Sequence, residues 1–376
     1  MTREHRFELA SFASRFSVAV GLLACGAGCS SSDGADAGPV RPADAQAPGD
    51  AGSAEAPGDA TVQPSDAGAP SVEATVLDDG GVVPTTDSGY GVPTAGYPTW
   101  NERTLLVLTN AVRMAPRDWY TKYLQPAYSS AVAGVAVLQS TAYPAVSPLR
   151  YDVRLGESSR AQSNDLADTP GCAFQHDSCD GGSPSARISS YYGTPNVSFG
   201  ENIAAGDSTA MAVINMWLCD GATYNGPCSP DGNGDGHRSN IMDVSFGVVG
   251  TGYATGTNQY TYYWTEDFVS AQDTPPPLVD GSHLFPTGAH IDFYANYKDA
   301  DPPTAISVFV DGAENPMSLD VGASSAGTYR IELSTANACR AYYFAAADAS
   351  GALWRYPSTG AFETTGDGSC TEEYSP

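Results

Sequence analysis

Leu105, Leu108, Val112, Ala115, Trp119 and Tyr123 recur at steps of three and four along TWNERTLLVLTNAVRMAPRDWYTKYL, which predicts a helix with one buried face. Pro116 falls inside that pattern and predicts a kink or a break into two helices, because proline lacks the N–H that the next turn needs. Asn110 and Arg113 lie three apart and share a side of it. A second helix is expected from Arg154 to about Ala167, with Leu155 and Leu166 inward and Glu157 and Asp165 in solvent. A third is expected from Thr209 to Leu218, capped by Asp207 or Ser208, with Ala210, Val213, Ile214 and Trp217 on its apolar side. FGVVGTGYA and QYTYYWTEDF, rich in Val, Thr and aromatic residues around a GTN turn, then predict a hairpin. Past the break at DTPPPLVDG, the runs HIDFYANY, AISVFVDG, TYRIELS, RAYYFAAAD and ALWRYP each read as a strand. Together these predict an α+β chain whose last part is a small antiparallel β-sandwich, immunoglobulin-like or fibronectin-like.

The stretch from Ser30 to about Ala95 has no such pattern. It is Ala, Gly, Asp, Pro and Ser with almost no aromatic residue, too little apolar surface to offset the entropy of ordering, and is expected to be a disordered tether. Ahead of it, Arg3, Arg6 and Arg15 precede a short apolar run, Phe16 to Ala24, shorter than the about 20 residues that span a bilayer. This is the layout of an export signal, and it resembles a bacterial lipoprotein leader. Cys25, with Leu22 before it, is the expected lipidation site, Cys29 is the alternative, and plain secretion with cleavage near Ala27 stays open. The expected organisation is a leader over 1–29, a tether over 30–95, one domain over 96–272 and a second over 273–376. The location is then outside the cytoplasm, as an outer-membrane-anchored or cell-surface lipoprotein, or else secreted.

A net charge of −26 over 376 residues sets further bounds. Unaided binding to nucleic acid or anionic lipid headgroups would be repelled, so membrane contact is expected only through the anchor. A monomer is expected. In an oxidising compartment the six cysteines beyond the leader are read as disulfides before metal ligands. Their spacing suggests local bridges, Cys172 with Cys179, Cys219 with Cys228 and Cys339 with Cys370, although spacing leaves other connectivities open.

Candidate chemistry concentrates between Gly171 and Met242, where His176 and His237 stand with Glu201 and Asp220 between them. Two imidazoles and two acids could ligate zinc or another divalent metal, could do acid and base work, or could form a satisfied hydrogen-bond cluster. No HExxH or CxxC spacing singles out the metal. Nearby, Asp231, Asn233 and Asp235 followed by Gly236 give DGNGDG, which opens like a calcium loop with oxygen ligands at alternate positions. The pattern then fails, with Met242 where the bidentate Glu should stand and Asp243 one residue late.

FQHDSCDGGSPSARI, FGENIAAG, the helix bearing Trp217, GHRSNIM, FGVVGTGYA and YYWTEDF occur in the order and spacing of the CAP superfamily, which groups cysteine-rich secretory, antigen 5 and pathogenesis-related proteins. NAVR and PLRYDVRL extend the resemblance, which spans about Thr99 to Val269 and is closer to the bacterial branch. It implies an α/β/α sandwich with an open cleft lined by two histidines and two acids. Carried over, these are His176, Glu201 and His237, with Asp220 standing where the family has a longer glutamate. The expected role is binding of an extracellular ligand (lipid, glycan or protein) in that cleft, with a divalent metal at His176 and His237 as an added option. A metal-assisted peptidase or esterase and a structural envelope protein are the alternatives.

Overall fold

The computed structural model describes residues 89–376 apart from 140, 195–196, 222–225, 272, 287–289 and 335–336. Cys25 and Cys29, the export leader and the tether up to residue 88 lie outside the described residues. Tyr90, which composition assigns to the tether, is packed: its hydroxyl donates to the Val279 carbonyl, and its own carbonyl accepts from Ser358 N at 2.8 Å.

Helix α1 (Trp100–Met114) stops before Pro116, which opens the separate turn Pro116–Trp119, followed by a π-helical turn over Tyr120–Leu124. After strand β1 (Arg150–Tyr151) come α2 (Val153–Asp168), α3 (Pro184–Tyr192), β2 (Phe199–Ala205), α4 (Ala210–Cys219), α5 (Gly236–Met242), β3 (Val248–Thr255) and β4 (Tyr262–Val269). The strands form one sheet in the order β1-β3-β4-β2, with β1 parallel to β3 and the other pairs antiparallel. The expected hairpin is β3–β4. The cap of α4 is Thr209, whose hydroxyl accepts from Ala212 N, rather than Asp207 or Ser208.

Helix α2 lies unusually close to this sheet. A Cβ on Gly250 would stand 2.0 Å from the Leu155 carbonyl carbon, and one on Gly252 2.3 Å from that of Ser159. Bare glycines on β3 thus meet small serines on α2, and the serine hydroxyls are satisfied across the contact, Ser159 on the Gly250 carbonyl at 3.0 Å and Ser163 on Thr265 Oγ1 at 2.9 Å.

The chain continues as β5 (Leu278–Leu284), β6 (Ile291–Lys298), β7 (Ala305–Val310), β8 (Ala313–Pro316), β9 (Ser318–Ala323), β10 (Ala326–Leu333), β11 (Ala341–Ala347), β12 (Leu353–Tyr356), β13 (Ala361–Glu363) and β14 (Tyr374–Ser375). One antiparallel sheet runs β5-β6-β10-β9; the other runs β14-β13-β11-β7-β8, with β12 also on β11. Phe293, Tyr297 and Leu278 of the first share a core with Val308, Tyr342 and Phe344 of the second.

Helix α1 does not have the single buried face that its period predicts. Every residue from Glu102 to Met114 is buried, because the helix packs on the first sheet with one side and on β5, β6 and β10 with the other. The second contact is polar and matched: Asn296 Nδ2 donates to the Val107 carbonyl at 2.8 Å, Asn110 Nδ2 to Asp280 at 2.7 Å, and Trp100 Nε1 to the His283 carbonyl at 2.7 Å. Such hydrogen bonds are invisible to a hydrophobic period.

Three disulfides are present, Cys172–Cys179, Cys219–Cys228 and Cys339–Cys370.

Candidate functional site

Consecutive residues of a strand face opposite ways, and β2 uses this to hold both histidines. Glu201 faces α3 and the loop closed by Cys172–Cys179: its Oε1 lies 2.8 Å from His176 Nδ1, and its Oε2 pairs with the Arg187 guanidinium. Asn202 faces α5, donating to the His237 carbonyl at 3.2 Å and accepting from Asn240 Nδ2 at 2.9 Å. Asn240 also reaches the Glu201 carbonyl at 3.2 Å. One strand therefore holds His176 by a side chain and His237 through the backbone of its helix.

Arg187 does more than balance a charge. Its Nη1 donates to Ser178 Oγ at 2.9 Å and to the His176 carbonyl at 3.4 Å, so the same guanidinium fixes the loop and the carboxylate. Directly across the sheet from Glu201 is Asp267, fully buried. Burial first, and the Glu201 charge second, push its carboxyl well above the usual range.

His237 has its own acid. Nδ1 lies 2.6 Å from Asp220 Oδ1, and the His237 backbone N–H donates to Oδ2 at 2.8 Å. Asp220 follows the last turn of α4 with φ +51°, a left-handed conformation that aspartate tolerates better than most side chains. That turn of the backbone aims the carboxylate at His237, so a side chain one methylene shorter than glutamate still reaches. Arg238, fully buried, anchors the same corner by donating to the Leu218 and Ser229 carbonyls. Trp217 is core: its Nε1 donates to the Ile203 carbonyl at 3.0 Å, and its ring stacks on His237 with centroids 6.3 Å apart.

Both imidazoles thus engage a carboxylate through Nδ1, and neither Nε2 has a hydrogen-bond partner among the described residues. The side chains are 43% and 33% exposed, so each Nε2 is open to a ligand. An acceptor on Nδ1 requires the proton there and leaves the Nε2 lone pair free. This orientation fits a divalent metal, because a carboxylate behind the histidine is how such ligands are usually set. The donor count is short, however. Among the described residues, the group of three or more His, Cys, Asp or Glu donors within 4.8 Å of one another is Cys339, Glu363 and Cys370, whose two sulfurs are bonded together. Glu201 and Asp220 stand behind the imidazoles instead of joining them as ligands.

The stretch DGNGDG does not fit calcium. Asp231 accepts from Leu138 N at 2.9 Å and Gln139 N at 2.8 Å, and Asp235 accepts from Gly232 N at 2.7 Å and from the Tyr143 hydroxyl. The Arg238 guanidinium stands between them, 3.3 Å from Asp231 and 3.2 Å from Asp235, where a cation would have to sit. Asn233 is exposed. Arg113 is likewise interior, donating to the Ser147, Ile241, Asp243 and Phe246 carbonyls and so pinning the end of α5.

Residues 106–268 match the family model of the cysteine-rich secretory protein family, CAP. A stretch of 122 residues is 33% identical to the uncharacterized protein YkwD of Bacillus subtilis (strain 168), covering 32% of this chain and 39% of that protein. Among solved structures, an outer surface protein from Borrelia burgdorferi is 17% identical, with a TM-score of 0.27 over 41% of this chain and 96% of its own. MpPR-1i, from a crystal soaked with selenourea, is 15% identical, with a TM-score of 0.20 over 42% and 96%. The match and the three disulfides are consistent with an extracellular protein, and no helix among the described residues is long and apolar enough to cross a membrane.

Proposed function

Starting from a CAP domain over residues 106–268, we propose that this is an exported, surface-tethered protein that binds an extracellular ligand through the Nε2 faces of His176 and His237. The observation that carries the binding role is the state of Glu201. One of its oxygens is engaged by His176 and the other by Arg187, so it is not free to take a proton from water as a hydrolytic base must. The ligand class remains lipid, glycan or protein, taken by a monomer, with the anchor at Cys25 or Cys29. Should a divalent metal be held, His176 and His237 would be its protein ligands, and it would act as a Lewis acid toward an oxygen of the ligand.

The test compares the wild type with the His176→Ala, His237→Ala double variant for metal content, for binding to lipid, glycan and peptide panels, and for ester and peptide hydrolysis. Loss of a bound ligand without any loss of hydrolysis supports binding. Hydrolysis by the wild type alone would establish the hydrolase, and two folded proteins alike in every assay would leave a structural envelope role.

A further inference from the structure

Away from both histidines, a cavity of about 410 Å³ opens where the segment 89–98, the start of α2, strand β5 and the end of β12 meet. A volume of this size lies within the range of small-ligand pockets. Neither His176 nor His237 lines it.

Its charged groups are unequal in their commitments. Asp273 pairs with Arg150 at 3.1 Å, and Asp152 pairs with Arg154 at 2.7 Å while capping α2. Asp280 is different. It is 2% exposed and accepts one amide N–H from Asn110 and one from Asn296, each at 2.7 Å, with no cation beside it among the described residues. Burial pushes its carboxyl up to about 7 despite those two amides. A carboxylate has room for more than two donors, and a buried one without a cation is costly.

The aromatic wall adds a buried phenol. Tyr356 is 3% exposed and lines the cavity. Its ring meets Tyr90 edge-on at 5.7 Å, and Gly91 rests on it so closely that a Cβ there would come within 2.3 Å of the ring. The Tyr90 hydroxyl is engaged by the Val279 carbonyl, and the Arg150 guanidinium lies over its ring, 5.6 Å from the centroid, so a ligand would share that ring with Arg150. Tyr151 completes the wall.

An anion would be repelled here. No group of three acidic, His or Cys donors gathers at this place among the described residues to hold an inorganic cation. Tyrosine rings around one uncompensated carboxylate suit a cation that carries its own apolar shell. We propose that the cavity is a binding site for a small organic ammonium ion, its charge set against Asp280, its body among Tyr90, Tyr151 and Tyr356, and a hydroxyl of the ligand met by that of Tyr356.

Choline and ethanolamine are the probes, and 3,3-dimethylbutan-1-ol, which replaces the choline nitrogen by carbon, is the neutral control. Calorimetric titration of the full chain should show at least one amine binding, and the neutral control binding at least about tenfold more weakly than choline. Asp280→Asn should cut amine affinity by about tenfold or more. Because Asn110 and Asn296 also rest on Asp280, that variant is read beside Tyr356→Phe, which removes a single oxygen and should weaken binding severalfold with the fold intact. No binding of either amine, equal binding of choline and its carbon analogue, or unchanged binding in Tyr356→Phe would each overturn the proposal.

Discussion

The Asp220 carboxylate binds His237 twice, Oδ1 at 2.6 Å from the imidazole Nδ1 and Oδ2 accepting the backbone N–H at 2.8 Å. One acid thus orients the ring and also satisfies a donor in the first turn of α5, where helix N–H groups have no partner of their own. Asp220→Ala should lose both and cost about 0.5–2 kcal/mol, the range for removing a side-chain acceptor from a first-turn N–H. Asp220→Asn keeps an acceptor and tolerates the left-handed backbone, so it should cost much less while releasing the ring. Denaturant unfolding of the two variants checks the order, and equal losses would count against the double role.

Disulfides divide between the site and the fold. His176 lies inside the Cys172–Cys179 loop and Asp220 inside Cys219–Cys228, both short, whereas Cys339–Cys370 closes a separation of 31 residues. Chain entropy assigns the longest loop the largest effect, about 3–4 kcal/mol against about 2–3 kcal/mol for the short ones. Serine replacement of Cys339 and Cys370 should lower the melting temperature most and leave His176 unmoved. Replacing Cys172 and Cys179 should shift the His176 ring signals in NMR at a smaller stability loss.

The stability of the protein should fall as pH rises from about 4 to about 8. Burial raises Glu266 to about 8 and Asp280 to about 7, so across that interval the native state keeps protons that the unfolded chain has released. Each such group can contribute up to about 1.4 kcal/mol per pH unit between its two values, and this stabilisation is gone once pH passes the folded value. Glu266→Gln keeps an acceptor for the Thr109 hydroxyl, 2.6 Å away in the wild type, and should flatten the decline. Unfolding free energies at about pH 5 and 8 decide it; an unchanged slope in the variant would contradict the assignment.

Deleting residues 273–376 uncovers Thr104, Asn110 and Trp100 on the outer side of α1 and removes the strands that satisfy them. The remaining part should lose its cooperative thermal transition, read by near-ultraviolet circular dichroism. A sharp transition in the truncated chain would show that the two halves fold independently, as the break at DTPPPLVDG suggests.

What the sequence discloses follows its periodicities. The helices α1, α2 and α4 and the β3–β4 hairpin carry long runs of one period, and their observed bounds fall within a few residues of those expected. Strand β2 does not: FGENIAA is buried on both faces nearly throughout and has no alternation to read. Helix α5 is seven residues, begins with glycine and is held by Asn202, Asn240 and Arg113 instead of an apolar stripe. Strand β5 is interrupted by Asp280 and Gly281, which read as a turn in isolation and sit in a strand because α1 supplies an amide to the acid. Asp267 was written in YYWTEDF, and only the register with Glu201 gives it meaning.

The proposed binding through both imidazoles requires His176 and His237 to be Nδ1–H tautomers with Nε2 free. Long-range ¹H–¹⁵N NMR of the imidazoles at about pH 8, above the ordinary histidine range, reads this directly. His176 and His237 should both be protonated on Nδ1, with His176 changing in Glu201→Gln and His237 in Asp220→Asn, each without the other. Nε2–H tautomers in the wild type, or rings indifferent to those substitutions, would contradict it.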